Sequence, residues 1–304
     1  MENLSIFGGL GFVGNNISKQ YKNSVIFDNN SNASRKASRL NYFLGDARNS
    51  EDLNNFFSTY KPKKVINLIA NADIKISSEN RFIDFELSPQ VNLNLLDMCE
   101  KYNVDQYIYF SGSGVYGNPE SLLEQKEDFL NINCPSMYAA AKISCEAFIS
   151  AFCNSCNLNS TIFRPGNIVG PGLTHGLIYD VLLKIKSNPK EINILGNGTQ
   201  KKSYIHIEDI LSAIDIALNT NEKLNFYNLS SNDTITVKEI VDEIVRICET
   251  KTKINYGLEP IGWVGDVPQI KLDNEKMKNK NWHPKFNSLD AVRKTIEENL
   301  FLLN

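Results

Sequence analysis

Short apolar runs alternate with amphipathic stretches through the first half of the chain. The runs 4–8, 24–28, 42–44, 64–69, 106–111 and 160–164 are rich in Val, Ile, Phe and Tyr. That composition predicts strands buried on both faces, as in a parallel sheet. Between them, 13–21, 50–60, 85–102 and 135–156 carry helical patterns. Repeated βα units with right-handed crossovers predict a doubly wound parallel sheet, an α/β fold of the Rossmann type.

After about residue 164 the rhythm loosens. Helical patterns at 177–186, 208–218 and 237–249 alternate with short strands near 191–195 and 226–229. With no linker, low-complexity tract or repeat in this half, it reads as a smaller α/β substrate-binding lobe. The expected division is a dinucleotide-binding domain over 1–165 and a substrate lobe over 166–304, with some interleaving of the chain.

Composition narrows the function classes. The 304 residues carry a net charge of -3, which gives no electrostatic argument for nucleic acid or an anionic membrane. No stretch approaches the length of an apolar membrane helix. The first residues lack a basic segment followed by an apolar one, so the expected location is the cytoplasm. Of the six cysteines, only Cys153 and Cys156 have ligand-like spacing, and they lack a second Cys/His pair. Reduced thiols and no metal are therefore expected.

Phe7-Gly8-Gly9-Leu10-Gly11-Phe12-Val13-Gly14 follows the first strand and opens a helix. Glycines there let the backbone turn tightly and approach a pyrophosphate, while the helix N-terminus offers unpaired N–H groups and a favourable dipole. The second strand ends at Asp28, where a carboxylate can accept from ribose hydroxyls and repel a 2′-phosphate. This favours NAD over NADP, although Arg35, Lys36 and Arg39 follow in the loop. Asp46 suits either the adenine amino group or a helix N-cap.

Tyr138 and Lys142 lie four apart on a helix and share a face. An ammonium beside a phenol favours the phenolate, so such a tyrosine can remove a hydroxyl proton while hydride leaves the same carbon. The fifth strand ends in Ser111-Gly112-Ser113-Gly114-Val115-Tyr116-Gly117. A hydroxyl at that end sits where open α/β sheets bind ligands.

Together the glycine turn, the serine-rich strand end and the Tyr138/Lys142 pair resemble the extended short-chain dehydrogenases. Arg164-Pro165-Gly166-Asn167, Leu195-Gly196-Asn197-Gly198 running to Tyr204-Ile205-His206, and Gly262-Trp263-Val264-Gly265-Asp266-Val267-Pro268 extend the likeness over almost the whole chain. The chain is similar to the NAD-dependent epimerase/dehydratase family, and within it to the compact archaeal-type UDP-galactose 4-epimerases.

The resemblance implies roles residue by residue. Tyr138 is the acid/base, and Lys142 tunes it and holds the nicotinamide ribose. Gly8, Gly11, Phe12, Val13, Gly14, Asp28, Asp46, Ala47, Leu68, Ala70 and Pro165 line NAD. Asn167 and Lys202 face the nucleotide-diphosphate sugar, and His175 lies in a segment that could approach it, with a structural role as the alternative. A homodimer would pair helices through Leu93, Leu96, Ile143, Ala147 and Phe148, residues that could equally be internal core.

Several positions depart from the family pattern. The usual catalytic Ser/Thr place holds Gly112, with Ser111 and Ser113 on either side as the hydroxyl candidates. The Asp-Glu pair of the 4,6-dehydratases is replaced by Ser113 and Gly114. Asn67 stands for a commoner His, Ser88 for a commoner Asn, and 261–264 holds no Arg. The expected activity is nucleotide-sugar 4-epimerisation through a transient 4-keto sugar. The alternatives are a C4 dehydrogenase or 4-keto reductase with net NAD(H) turnover, and a non-catalytic NAD-binding regulator. Surface-polysaccharide synthesis is an association of the family, not of these residues.

Overall fold

The structure is a computed structural model that describes residues 3–30, 41–71, 77, 80–118, 124–128, 132–260, 262, 267 and 269–303. Arg35, Lys36, Arg39, Trp263–Asp266 and Pro268 lie outside them. The chain divides into two interleaved compact units. One comprises Met1–Val115, Met137–Arg164 and Ile214–Tyr227, and the other Tyr116–Ser136, Pro165–Ala213 and Asn228–Asn304.

The first unit is built on β1 (Leu4–Phe7), β2 (Val25–Asp28), β3 (Asn41–Leu44), β4 (Lys64–Asn67), β5 (Gln106–Phe110) and β6 (Asn159–Pro165). These strands form a seven-stranded sheet with Leu224–Leu229, in the order Leu224–Leu229, β6, β5, β4, β1, β2, β3. The ladders from β3 through to β6 are all parallel. The order reverses between β1 and β4, which places the C-terminal ends of those two strands at a switch point, where open α/β sheets take their ligands. The Rossmann-type α/β architecture expected from the alternating pattern is therefore present.

Fully buried strand residues explain the run-like sequence signal. Ile6, Phe7, Ile26, Phe27, Val65, Ile66, Tyr107 and Ile108 have essentially no exposure. On one face, helices α2 (Ser50–Tyr60), α3 (Val91–Lys101) and α4 (Met137–Ser155) contribute Phe56, Phe57, Leu95, Leu96, Cys145 and Ile149 to the main core. Phe7, Phe27, Phe43, Phe56 and Phe57 pack there as interlocking rings with centroids 4.9 to 5.8 Å apart.

The helix expected over 85–102 is broken in two. A one-turn helix, Phe82–Phe85, runs into a π-helical turn at Glu86–Gln90 before α3 begins. Pro89 accounts for this: it has no N–H to donate, and its ring crowds the carbonyl four residues back. Of the expected pairing patch, Leu96 is core, while Leu93, Ile143 and Phe148 are half-buried and Ala147 is exposed.

The second unit consists of short pairs around amphipathic helices. Tyr204–His206 pairs with Asn167–Val169 and Lys253–Tyr256 with Glu191–Ile194, both in parallel. Among its helices, Val237–Ile247 opens with a full capping box between Thr236 and Glu239.

Candidate active site

The glycine turn joins β1 to α1 (Phe12–Gln20). Gly8 adopts φ of +77°, and a side chain there would press on the backbone of Leu68 and Ile69 at 3.2 Å. Gly14 cannot carry a side chain at all, because a Cβ would lie 2.5 Å from the Gly8 carbonyl and from the Gly9 Cα. At Gly11, the N-cap of α1, no side chain satisfies the first helical N–H groups. This exposed, uncapped helix end fits a dinucleotide pyrophosphate.

Asp28, at the end of β2, accepts from the Leu10 N–H at 2.9 Å and the Asn30 N–H at 3.0 Å. Its carboxylate thus fastens the glycine turn from behind, a duty that the ribose reading did not anticipate. Leu68 and Ala70 follow β4 and are half-buried.

Asp46 is not the helix N-cap that its sequence position also suits. Its carboxylate is engaged by Arg48, with Nη2 at 2.7 Å and Nε at 3.1 Å, and that guanidinium holds it below the usual carboxylate range. The cap of α2 is Asn49 instead, whose side chain accepts from the Glu51 N–H. Ala47 is buried, and its carbonyl accepts from Asn94.

Helix α4 carries the reactive pair. Lys142 is 3% exposed and donates to the Phe110 carbonyl at the end of β5, at 2.7 Å. Its Nζ lies 4.8 Å from the Tyr109 ring centroid and 5.5 Å from that of Tyr138. Burial pulls the Lys142 ammonium down to about 8. Tyr138 moves the opposite way from the expectation. Burial, with Asp84 and Cys145 nearby, pushes its phenol up to about 12. The expected phenolate stabilisation by Lys142 is outweighed because desolvation penalises both charged forms, while the ammonium's hydrogen bond goes to a backbone carbonyl.

Neither flanking serine is seen to meet Tyr138. Ser111 Oγ is buried without a hydrogen-bond partner, and Ser113 opens the 3-10 turn Ser113–Tyr116. At Gly112 a Cβ would meet nothing nearer than the Tyr138 hydroxyl, at 4.0 Å. That spacing leaves room for a serine Oγ to reach the phenol. Gly112→Ser should therefore raise turnover several-fold, as one added hydrogen bond of about 1 kcal/mol would. Steady-state kinetics on the two proteins decides it, and an unchanged or lower kcat would show that the added hydroxyl does not serve the reaction.

The remaining assigned residues fall as follows. Phe12 is buried and Val13 half-buried at the start of α1, and Pro165 is the buried last residue of β6. In the second unit, Asn167 and Lys202 are half-buried on their strands, and the Asn167 N–H donates to the Ser203 carbonyl. His175 is exposed, within 3.1 Å of the Thr174 hydroxyl.

Sequence reasoning missed Asp84, Asn71 and the Glu146–Arg164 pair. Glu146 follows Lys142 by one helical turn, the same spacing that singled out Tyr138 and Lys142, so the signal was present. Asp84 stands alone among Phe82, Ile83 and Phe85, a polar residue in an apolar setting. Nothing in the sequence pairs it with Asn71.

Residues 4–230 match the model of the NAD dependent epimerase/dehydratase family. The chain belongs to that family. It is an enzyme family that uses NAD and acts on nucleotide sugars.

A putative UDP-glucose 4-epimerase of Methanocaldococcus jannaschii is 26% identical, over 96% of each chain. A dTDP-D-glucose 4,6-dehydratase of Dictyostelium discoideum is 28% identical over 81% of this chain, which spans only 62% of that protein. Among solved structures, a UDP-glucose 4-epimerase of Thermotoga maritima with UDP-glucose superposes with a TM-score of 0.90. It is 24% identical and is covered over its full length by 99% of this chain. At that identity the likeness establishes the fold. No helix among the described residues is long and apolar enough to cross a membrane.

Proposed function

We propose that this family member is a nucleotide-sugar 4-epimerase acting through a transient 4-keto sugar. The observation that carries the reading is the buried Lys142 set beneath Tyr138, whose hydroxyl has open space beside it at Gly112. The full-length match to a putative UDP-glucose 4-epimerase supports it. The dehydratase alternative lacks its carboxylates, since Ser113 and Gly114 occupy their places.

Bound NAD would supply the acceptor and donor for the C4 hydride. The protein's share is proton handling. Tyr138 Oη accepts the C4 hydroxyl proton as the carbonyl forms and returns it as the carbonyl is reduced, so the cycle is neutral in protons and in cofactor. Lys142 stabilises the phenolate that Tyr138 must be before it takes the proton and again after it has returned it. Gly8, Gly11 and Gly14 admit the pyrophosphate, and Asp28 meets the adenosine ribose. Asn167 and Lys202, with His175 as a further candidate, are assigned to the sugar nucleotide, and homodimer formation belongs to the same proposal.

The second reading is a C4 dehydrogenase or 4-keto reductase, favoured by the missing hydroxyl at Gly112. The two differ in what they do with cofactor. Protein denatured as purified, with nothing added, should release close to one equivalent of NAD(H), and sugar interconversion should consume none. Cofactor-free protein that turns over NAD(H) stoichiometrically with the sugar would replace the epimerase with the dehydrogenase or reductase.

A further inference from the structure

Asp84 is a buried carboxylate with half of its bonding capacity unused. It sits in the one-turn helix Phe82–Phe85 and is 1% exposed. Its Oδ1 accepts from Asn71 Nδ2 at 3.1 Å, and the same Nδ2 lies 3.3 Å from Ser77 Oγ. Its Oδ2 is fully buried and has no hydrogen-bond partner. A neutral amide is a poor counterpart for a desolvated carboxylate, and a nearby charge of opposite sign is a better one.

The helix that faces this turn is α4, and its buried cation is Lys142. Around Lys142 stand Tyr138, Cys145 and Glu146 on its own helix, and Tyr109 and the Phe110 carbonyl on β5. Glu146 also supports Lys142 but is shared with Arg164, which grips it through Nε at 3.0 Å and Nη2 at 2.7 Å, both side chains being at most 4% exposed. Asp84 is thus the nearby carboxylate with no ion pair of its own among the described residues.

We infer that Asp84 is a positioning residue for the active site, its unpaired oxygen supplying the counter-charge that keeps the Lys142 ammonium protonated and directed at the Phe110 carbonyl. The electrostatics agree in sign. Burial drives Lys142 down, while Cys145, Glu146 and Asp84 pull it back up. The same carboxylate helps to hold the Tyr138 proton in place. The link to catalysis rests on the proposed roles of Tyr138 and Lys142, whereas the link between Asp84 and Lys142 does not.

The test uses the full chain as purified, with ¹³Cε-lysine incorporated and the Lys142 resonance assigned by its loss in Lys142→Arg. Removing the negative charge removes support for the ammonium, so Asp84→Asn should lower the Lys142 titration midpoint by about half a unit to one unit. Asp84→Glu, which keeps the charge, should stay near the wild type. An unchanged midpoint in Asp84→Asn would overturn the inference. A readout independent of any variant's folding is the ¹³Cγ resonance of Asp84 in the wild-type protein. It should step at the Lys142 midpoint, and a flat response there would also overturn the inference. The alkaline limb of the pH–rate profile should move to lower pH by the same interval. A midpoint that moves while the profile does not would uphold the pairing of Asp84 with Lys142 and defeat the catalytic roles instead.

Discussion

Tyr138→Phe should lower turnover of the sugar nucleotide by about a thousandfold or more while leaving the bound NAD(H) content unchanged. The substitution deletes one oxygen from a half-buried ring and nothing else. General acid–base groups commonly contribute about 10²- to 10⁴-fold, and the high end is expected because no second hydroxyl is seen to take over. Ser111 Oγ is buried, and Gly112 has no side chain to offer. Rapid-quench turnover measured beside released-cofactor assay decides the matter. Wild-type turnover in Tyr138→Phe would remove the proposed mechanism, and loss of NAD(H) would recast Tyr138 as a binding residue.

The second large effect is on stability. Arg164→Met should destabilise the fold by roughly 3–5 kcal/mol, the usual cost of leaving one member of a buried ion pair behind. Glu146 would remain on α4 with its two charge-assisted hydrogen bonds from β6 gone. The guanidinium also lies 5.1 Å from the Phe226 ring centroid, so some packing is lost with it. Adding Glu146→Leu should recover part of the loss, because the stranded charge is then absent. Urea midpoints for the wild type, the single and the double variant give the answer. If the double variant is no more stable than the single, the cost comes from packing of the arginine stem and not from the abandoned carboxylate.

The fold was legible because its strands are buried on both faces. Runs such as 64–69 and 106–111 announce a parallel sheet through composition alone, and the glycine turn marks where the first crossover begins. Strand ends were overrun by one or two residues, as at Gly8 and Ser111, because apolarity continues past the last ladder bond. Pro89 marks the interruption before α3, but the apolar period persists on both sides of it and hides the break. Within the site, contacts one helical turn apart could be read, as for Tyr138 and Lys142. Contacts made by tertiary folding could not. Asp28 to Leu10, Asn71 to Asp84 and Arg164 to Glu146 join distant parts of the chain, and no periodicity encodes them. The direction of the Tyr138 shift is not legible in the sequence for a related reason. Sequence shows a neighbouring charge but not how much water the fold removes.

Asp28 carries a consequence for any attempt to change the cofactor. The carboxylate that would repel a 2′-phosphate also receives the Leu10 N–H. On the proposed role of Asp28 at the ribose, recognition and construction are therefore fused in one side chain. Neutralising it to admit a phosphorylated ribose also loosens the bend that leads the backbone past the pyrophosphate. Selection for the alternative dinucleotide must rebuild the architecture of the turn before a new preference can be expressed.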